Sequence, residues 1–521
     1  KIIRPLLLKF LSSSAGNLSV RAVRLPPRSP SHAGMMGCGQ AAARDEDFVP
    51  LPCDDEAIWE AVRGLSDPPQ ISSWEMLRER MVRYLAVMND PQAVERQFRL
   101  GGLQEAVRML GCGEASFFSE LLPALVGRAL ALPALKARLE VQKLRVLRQI
   151  CRGTLRIPRD VGASLLANMI LCTVNEEWHE DQRMHSPSFV RLLMADQSQE
   201  LAKLAMFLHF FERVGTAPIP GDIVIDRVTG VTIDWNAWLE STTPLLPMEM
   251  AEPMQGFEEA PELAHADFAN RYIGGGVLSG GCVQEEIRFA ICPENVISLL
   301  VCPVMLDEEA IQITGAEQFS KYTGYGFRLG YGGDHKDESR VADDGSVLTS
   351  ILAMDALDFR RVSNPSIEMQ LHESKMLREL NKAHAAFVPV NELSLQTHPM
   401  VATGNWGCGA FLGCAPLKAL IQWAAASQCN RRLRYFPFDE TFGPELEALA
   451  GRVVNAGGTV GSLLRGLAEV RDAKHPPPSR KLVQVVRKRA CSRESWLGGL
   501  TIRRSEPTSI GRARAVHRLR W

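Results

Sequence analysis

Residues 267–289 read DFANRYIGGGVLSGGCVQEEIRF, with the consecutive glycines Gly274, Gly275 and Gly276 shortly before Gln284-Glu285-Glu286. Glycine has no Cβ atom, so consecutive glycines allow the backbone to approach a ligand closely. Residues 284–291 can start a helix, and the N-terminus of a helix favours anions. The stretch lacks the GxGxxG spacing after a strand that marks a dinucleotide-binding fold. Taken alone, the stretch is more typical of a flexible turn followed by ordinary acidic residues in a first helical turn.

A second glycine-rich segment, residues 403–411, reads TGNWGCGAF. A strand-like run precedes it, and the pattern predicts a helix over residues 416–429 after it. A strand, a glycine loop and a helix in this order form a common phosphate-holding device. Two such loops, one of them carrying carboxylates, favour a phosphorylated ligand that is held beside an acid.

The hydrophobic period changes near residue 215. Between residues 51 and 215 apolar side chains recur at helical spacing, and Asp90-Pro91 is a helix start signal. Residues 215–221 contain two prolines and predict a linker. Beyond them, short apolar runs alternate with helical stretches, which indicates an α/β fold with a mixed sheet covered by helices. We predict a hairpin over 222–228 and 231–234, and strands within 299–304, 311–314, 350–356, 401–403 and 433–438.

The charge of the chain is unevenly distributed, although its 59 Lys and Arg nearly balance its 60 Asp and Glu over 521 residues. Residues 1–44 hold seven basic and no acidic side chains, and residues 480–521 hold twelve basic and two acidic ones. The acidic body between them argues against a surface that binds nucleic acid by charge alone. We predict basic, disordered segments at 1–50 and 475–521, a helical accessory domain at 51–215 and a catalytic domain at 216–474.

The two ends bear on the expected location of the protein. Residues 1–34 are rich in Arg, Ser and Pro and lack acidic residues, which is compatible with organellar targeting. The Arg-Lys-Arg run at 487–489 fits a nuclear-import signal or a solvated tail. We expect the nucleus, the cytoplasm or both. The longest apolar runs, such as 296–306, fall far short of the ~20 residues of a membrane span, so no membrane association is expected.

Twelve cysteines are scattered along the chain without a CxxC pair. His179 and His185 lie near acidic residues, but no matching Cys or His pair follows them. The sequence therefore favours reduced thiols in an intracellular protein and predicts no metal site.

Residues 267–289 resemble the signature of poly(ADP-ribose) glycohydrolases, a triple glycine followed by Gln-Glu-Glu. Residues 403–411 resemble the second glycine loop of that family. Residues 313–325, which include TGAEQ and YTGY, resemble its adenine-side segment. Residues 163–172 and 202–211 look like its helical accessory region. The resemblance covers roughly residues 55–445.

This resemblance implies a macrodomain, a three-layer α/β/α fold with a mixed sheet, preceded by an all-helical accessory domain. It also implies hydrolysis of the ribose–ribose bonds of poly(ADP-ribose), mainly from the chain end, with release of ADP-ribose and without a cofactor. The expected partners are poly(ADP-ribose) and poly(ADP-ribosyl)ated proteins in the DNA damage response, and no specific nucleic acid. A monomer is expected.

The family's functional residues map onto matching positions of this chain. The resemblance implies that Glu286 is the catalytic acid and base and that Glu285 orients the ribose hydroxyls. Asp267 is the third expected catalytic carboxylate. The implied substrate contacts are Asp267 and Asn270 on ribose, Gln284, Tyr325 on adenine, Phe438 near the distal ribose, Asn405, and, on the diphosphate, Gly274, Gly275, Gly276, Gly407, Cys408, Gly409, Ala410 and Phe411.

The residue types are consistent with glycosidic chemistry. A glycosidic bond breaks through an oxocarbenium-like state, so a carboxylic acid must protonate the leaving oxygen. Glu285 and Glu286 are sequence neighbours, and neighbours diverge by about 100° on a helix, so they do not form an opposed pair. We therefore expect Glu286 to act twice, first as acid and then as base. Local capping or turn roles remain the alternative for Glu285 and Asp267.

The second loop departs from the family pattern. The family usually continues with a Gly-Gly-Asp-like sequence, whereas Leu412, Gly413 and Cys414 follow Phe411 here. Leucine is bulkier than glycine, and cysteine removes a carboxylate. The departure leaves a second function open, a macrodomain reader that binds ADP-ribose polymer without cleaving it. The intact Gln284-Glu285-Glu286 favours the enzyme, because a reader needs no acid.

Overall fold

The computed structural model describes residues 47–473 and 481–490, apart from 254, 363–364, 391 and 439–441. Most of the two basic ends, including the targeting-like residues 1–34, lies outside the described residues. One strand and one helix fall inside the predicted disordered ends, so the prediction for 1–50 is wrong at residues 48–49. Phe48–Val49 pairs with Leu144–Arg145, and the helix Leu482–Ala490 lies within the segment 475–521 that we predicted to be disordered.

That last prediction is wrong for residues 482–490. Leu482, Val483 and Val486 are at most 1% exposed and belong to a hydrophobic core shared with the sheet. The basic composition of the tail concealed this short apolar stripe, which has helical spacing. The tail therefore begins with a structural helix.

The centre of the molecule is an eight-stranded mixed sheet, which confirms the predicted α/β class. Five neighbouring strands are parallel, and three strands at one side are antiparallel to their neighbours. Across the sheet the order is Gly153–Pro158, Asp222–Thr229, Glu309–Thr314, Ser350–Ala353, Ala264–Asp267, Met400–Gly404, Arg432–Phe436 and Met248–Met250.

Helices cover the sheet because successive strand residues face opposite sides. Ile351 and Ala353 lie in one hydrophobic core with the helical domain, whereas Leu352 lies in a second core with later helices. The α-helices of the described residues are Glu56–Arg63, Trp74–Met88, Pro91–Gln97, Gly101–Leu110, Glu114–Ser116, Leu122–Leu130, Leu132–Leu135, Arg159–Ile170, Glu176–Asp181, Val190–Leu193, Ser198–Val214, Trp235–Glu240, Gln284–Ile291, Ser298–Val301, Ile367–Gln370, Glu373–Phe387, Glu392–Thr397, Ala415–Gln428, Gly443–Asn455, Val460–Arg471 and Leu482–Ala490.

The predicted hairpin over 222–228 and 231–234 is wrong. The strand Asp222–Thr229 pairs with Gly153–Pro158 on one side and with Glu309–Thr314 on the other. Residues 231–234 lead instead into the helix Trp235–Glu240, where the Asp234 carboxylate accepts a hydrogen bond from the amide of Ala237 at 2.9 Å. The partner strand Gly153–Pro158 comes from the region predicted as purely helical.

The predicted strand at 299–304 is also wrong, because Ser298–Val301 is a buried helix. A short continuous apolar run does not distinguish a buried strand from a buried helix. The other four predicted strands are confirmed within a few residues. A separate two-stranded hairpin, Ser320–Thr323 with Gly330–Asp334, stands beside the sheet.

Among the described residues, no single helix has both the length and the apolar composition of a membrane span. One sharply bent pair, Gly101–Leu110 with Glu114–Leu130, meets the test by length and composition alone.

Candidate active site

The two glycine loops leave the same edge of the sheet. The strands Ala264–Asp267 and Met400–Gly404 are parallel neighbours, with Val401 opposite Ala264. Loops that follow the carboxyl ends of adjacent parallel strands meet at one edge, where α/β proteins commonly bind ligands. The first loop ends in the helix Gln284–Ile291, here called the QEE helix. The structure therefore brings together the two motifs that stood out in the sequence.

Glu286 lies in the first turn of the QEE helix and is 7% exposed. Its Oε1 accepts a hydrogen bond from the amide of Gly276 at 2.8 Å, and its Oε2 accepts one from the amide of Val283 at 3.0 Å. The second bond closes the start of the helix, as a glutamate in the third helical position commonly does. Glu286 is therefore held in one orientation by two backbone donors.

Glu285 is bound differently, although it is the next residue in the chain. Its Oε2 accepts from the amide of Asn270 at 2.8 Å, and its Oε1 accepts from the amide of Gly274 at 2.7 Å. It is only 2% exposed, and burial raises its pKa well above the usual range, with further contributions from Asp267 and Glu286. Glu285 thus fixes the loop between residues 270 and 274.

The glycines of the first loop make room for these carboxylates. Gly275 has φ +51°, and a Cβ atom there would lie 2.5 Å from both an Oε of Glu285 and an Oε of Glu286. A Cβ atom on Gly281 would lie 2.6 Å from the carboxyl carbon of Glu286. Any larger side chain at either position would displace a glutamate.

The amides of the triple glycine are already used inside the protein. Those of Gly274 and Gly276 donate to the two glutamates, and that of Gly275 donates to the carbonyl of Tyr272 at 3.1 Å. The sequence-based expectation of exposed amides for a diphosphate therefore does not match this loop as it stands. Its glycines position carboxylates, and their predicted contact with the diphosphate stays a prediction.

The helical domain holds the first glycine loop from behind. Lys203, on the helix Ser198–Val214, donates from Nζ to the carbonyls of Gly276 at 3.1 Å, Ser279 at 2.5 Å and Gly281. This lysine is fully buried, and burial lowers its pKa to about 8. A second tie is the hydrogen bond between His185 Nε2 and the carbonyl of Gly275.

Sequence reasoning missed both of these residues. Lys203 interrupts the apolar pattern of its helix. Since a lysine is rarely fully buried without partners, this interruption was the signal in the sequence that Lys203 binds specific groups. His185 was considered only as a metal ligand.

Asp267 ends the strand Ala264–Asp267 beneath the loop and is 1% exposed. Neither of its carboxyl oxygens has a hydrogen-bond partner in the described part of the chain. Burial, reinforced by the charge of Glu286, raises its pKa to about 8, although the guanidinium of Arg288 opposes the shift. Burial therefore favours the neutral form of Asp267, which contributes a third carboxyl to the cluster.

Two other predicted contacts have structural partners of their own. The Gln284 side chain accepts from the amide of Phe268 at 2.8 Å and donates to the carbonyl of Ala266 at 3.2 Å. The Asn270 side chain accepts from the amide of Tyr272 at 3.0 Å in a local turn. The Gln284 side chain thus ties the strand end to the QEE helix, and the Asn270 side chain closes a local turn.

The second glycine loop keeps free donors. The amides of Gly407, Gly409, Ala410 and Phe411 donate no hydrogen bond to any residue that the structure describes. Gly409 and Ala410 are exposed, and Gly407 has φ +70°, where a Cβ atom would lie 2.4 Å from that of Ala356. A run of unpaired amides in a glycine turn is a ready anion-binding concavity.

The rest of this loop is rigidly supported. Trp406 is fully buried and donates from Nε1 to the carbonyl of Met354 at 2.9 Å, and Lys418 Nζ lies 3.9 Å from the centre of its ring. The Asn405 side chain accepts from the Tyr435 hydroxyl at 2.8 Å. Cys408 Sγ contacts the carbonyl of Trp406 at 3.4 Å.

The departing residues Leu412 and Cys414 occupy positions that suit glycine and aspartate. Leu412 has φ +60°, a left-handed conformation that is costly for most side chains. Cys414 is the N-cap of the helix Ala415–Gln428, and its side chain caps no helix amide. Local strain and a lost cap therefore explain why these positions favour other residue types.

Two exposed aromatic rings stand above the loops. Tyr325 is 46% exposed and Phe438 is 54% exposed, and their ring centroids lie 5.9 Å apart at an interplanar angle of 59°. A hydrogen bond of 3.0 Å from the amide of Gly326 to the carbonyl of Cys282 ties the Tyr325 turn to the first loop. The structure thus places both predicted aromatic contacts together at the site.

Comparison with known proteins agrees with this arrangement. A family model described as the macrodomain fold of poly(ADP-ribose) glycohydrolase matches residues 235–442, and the model of that family's helical domain matches residues 112–227. Poly(ADP-ribose) glycohydrolase 1 of Arabidopsis thaliana is 29% identical over 437 residues, which cover 68% of this chain and 78% of that protein.

Two proteins of Caenorhabditis elegans are also similar. Poly(ADP-ribose) glycohydrolase 1 is 36% identical over 282 residues, which cover 52% of this chain but only 35% of that protein. Poly(ADP-ribose) glycohydrolase 2 is 34% identical over 262 residues, which cover 49% of this chain and 53% of that protein. Both parts of the fold and both site motifs lie within the matched residues, and the chain therefore belongs to the poly(ADP-ribose) glycohydrolase family.

Proposed function

We propose that this chain hydrolyses the ribose–ribose O-glycosidic bonds of poly(ADP-ribose) and releases ADP-ribose. The observation that carries the proposal is Glu286, an oriented carboxyl group between a glycine loop that shapes it and a second loop with free amides. The family membership and the similar proteins named poly(ADP-ribose) glycohydrolase support the choice of substrate.

The proposed reaction uses one carboxyl group twice. Glu286 gives its proton to the leaving ribose oxygen while the bond from that oxygen to the anomeric carbon breaks. The resulting carboxylate then takes a proton from a water molecule whose oxygen bonds to the anomeric carbon. The products are ADP-ribose and a polymer shorter by one unit, and Glu286 regains its proton.

Glu285 and Asp267 are less accessible to the substrate than Glu286, so we do not assign the proton transfer to them. Both oxygens of each glutamate accept hydrogen bonds from backbone amides, but Glu285 is the less exposed of the two, at 2% against 7% for Glu286. Asp267 is 1% exposed beneath the loop. We infer that these two groups set the position and the local electrostatics of Glu286 and orient the ribose, in agreement with the single-carboxyl scheme.

The recognition of a polyanion rests, in this proposal, on local donors. In it, the free amides of Gly407, Gly409, Ala410 and Phe411 bind the diphosphate, and the Tyr325–Phe438 pair packs against the adenine and the distal ribose. An acidic body is compatible with such recognition because backbone amides bind phosphate without net charge.

A reader that binds polymer without cleaving it is the second candidate. Two features of the loop with the free amides favour it, the left-handed conformation of Leu412 and the departure of residues 412–414 from the family pattern. Labelled polymer distinguishes the two candidates. Release of free ADP-ribose supports the hydrolase, and retention of polymer without release supports the reader.

We propose the nucleus, the cytoplasm or both as the location, poly(ADP-ribosyl)ated proteins of the DNA damage response as partners, and a monomer as the active state. The Arg-Lys-Arg run at 487–489 and the family's substrate support this setting. Fluorescent fusions of the full chain with and without that run test the location, and light scattering tests the monomer.

A further inference from the structure

The turn that carries Tyr325 is the tip of a firmly anchored hairpin. The strands Ser320–Thr323 and Gly330–Asp334 pair up to Thr323 opposite Gly330, so residues 324–329 form the tip. Leu329, 2% exposed, packs with Cys282, Ile287 and Met206. Together with the bond from the Gly326 amide to the Cys282 carbonyl, this packing fixes the tip against the QEE helix.

Phe327 projects from this fixed tip and is 78% exposed. A tip so well anchored at Gly326 and Leu329 has no structural need for a large aromatic side chain in solvent. An exposed aromatic residue next to a ligand site commonly marks a contact surface. Phe327 lies two residues from Tyr325 in the same turn, and Tyr325 is itself exposed with its ring centroid 5.9 Å from that of the exposed Phe438.

The position of Glu286 indicates where the second unit of the polymer lies relative to the hairpin tip. The bond that Glu286 would cleave joins the terminal unit to the ribose of the next unit, so the second adenosine leaves the site beside Glu286. Cys282, whose carbonyl accepts the hydrogen bond from the hairpin tip, lies four residues before Glu286, just ahead of the QEE helix. The second unit therefore emerges next to the tip that carries Phe327 and the exposed Arg328.

We propose that Phe327 and Arg328 form a subsite for the second ADP-ribose unit of the polymer, in which the Phe327 ring stacks on its adenine. This inference rests on the proposed function. Exposed aromatic rings bind single-stranded nucleic acids by stacking on bases of any sequence, and an adenine offers the same face. The Arg328 guanidinium supplies the cation that the diphosphate of this unit attracts, in a body that is otherwise acidic.

The test compares two substrates and three variants of the full chain. One substrate is poly(ADP-ribose), and the other is ADP-ribose with a small fluorogenic leaving group on its distal ribose in place of a second unit. The variants are Phe327→Ala, Phe327→Tyr, which keeps the ring, and Val87→Ala, a 52% exposed control residue in the helical domain. KM and kcat are measured for the wild type and for each variant with each of the two substrates.

We expect Phe327→Ala to raise KM for the polymer about tenfold and to leave kcat within about twofold, because base stacking contributes on the order of 1–3 kcal/mol. The fluorogenic substrate should be turned over as by the wild type. Phe327→Tyr and Val87→Ala should behave as the wild type on both substrates. An equal loss on both substrates, or an unchanged KM for the polymer, would overturn the subsite.

A binding measurement separates this inference from the proposed function. Polymer affinity is compared between Glu286→Gln and the double variant with Phe327→Ala, in which turnover plays no part. A drop of about tenfold in polymer affinity in the double variant supports the subsite, whether or not the wild type releases ADP-ribose. Absence of release by the wild type would contradict only the proposed hydrolase. Equal affinities would refute the subsite.

Discussion

At the residue scale, Asp267 is the only one of the three carboxyl groups that is buried without a hydrogen-bond partner among the described residues. It is buried, neither oxygen has a hydrogen-bond partner among the described residues, and its pKa is raised to about 8. An unfolded chain releases the same proton near pH 4, as aspartate ordinarily does. Raising the pH from about 4 to 8 therefore lowers the free energy of unfolding, since the folded state keeps a proton that the unfolded state has lost.

Asp267→Asn should remove this dependence. We expect the variant to be more stable than the wild type at pH 8 by at least about 1.4 kcal/mol, the equivalent of one unit of pKa shift. The difference should shrink towards pH 4, where the unfolded chain also keeps about half of this proton. Urea unfolding at the two pH values measures it. A difference of the same size at both would contradict this explanation.

Lys203 connects the helical domain to the first glycine loop through three carbonyl contacts. Its pKa of about 8 means that it loses one of its three N–H donors as the pH rises above that value. The unfolded chain keeps this proton to about pH 10. Between about pH 8 and pH 10 the folded state binds fewer protons than the unfolded state, so the contribution of Lys203 to the free energy of unfolding rises. Over the same pH range its hydrogen bonds to the loop carbonyls weaken.

We therefore expect turnover of polymer to fall above pH 8 while stability does not fall. Lys203→Met, which lacks all three donors, should lower kcat/KM about 10-fold to 100-fold at pH 7, because three buried carbonyls lose their partner. It should also make the alkaline decline shallower, while the ionisation of Asp267 near the same pH accounts for the remainder. Parallel pH profiles of activity and of urea midpoints provide the measurement, and a decline of unchanged steepness in Lys203→Met would argue against Lys203 as a cause.

At the scale of elements, the second glycine loop contains Leu412, one of the residues that differ from the family pattern, and its backbone conformation lowers the stability of the loop. Leu412 is held at φ +60° and is 47% exposed, so its side chain contributes little packing. The left-handed conformation costs about 1 kcal/mol for most residues and much less for glycine.

Leu412→Gly should thus raise the free energy of unfolding by about 0.5–1 kcal/mol. Leu412→Ala is the matched control, since it removes the same side chain but keeps a Cβ atom in the strained conformation. Chemical denaturation of both variants beside the wild type measures the effect. Equal stability of the two variants would show that the backbone conformation is not the source.

Some elements of the site were predictable from the sequence and others were not. The QEE helix begins at Gln284, as its acidic first turn and the preceding glycines indicate. The strand Gly153–Pro158 was missed because its partner, Asp222–Thr229, lies far away in the chain, beyond the reach of a local pattern. Lys203 was missed for the same reason, since the carbonyls it binds are more than 70 residues away.

At the scale of the whole molecule, the helical domain and the sheet form one structure around the site. The helical domain supplies the edge strand Gly153–Pro158, and Lys203 and His185 hold the first glycine loop. The acidic body noted in the sequence carries the candidate site, and the basic ends lie largely outside the described residues. Binding of a polyanion is therefore expected to depend on local amides and aromatic rings.

The single-carboxyl scheme makes a prediction about metal ions. Neither proton transfer by Glu286 nor the attack by water requires a Lewis acid. We expect the rate of ADP-ribose release from polymer to be unchanged within about twofold in excess EDTA, because each step is carried by a group of the chain. Loss of activity in EDTA with recovery on adding a divalent ion would require a different mechanism.

The most direct test of the central claim compares wild type with Glu286→Gln, which keeps the size of the side chain and removes the proton. Release of ADP-ribose from labelled polymer and binding of ADP-ribose are measured on the same preparations. We predict that the wild type releases ADP-ribose, and that Glu286→Gln binds it with similar affinity but loses at least about 10²–10⁴-fold in kcat, the usual contribution of an acid–base group. Full turnover by Glu286→Gln would contradict the account.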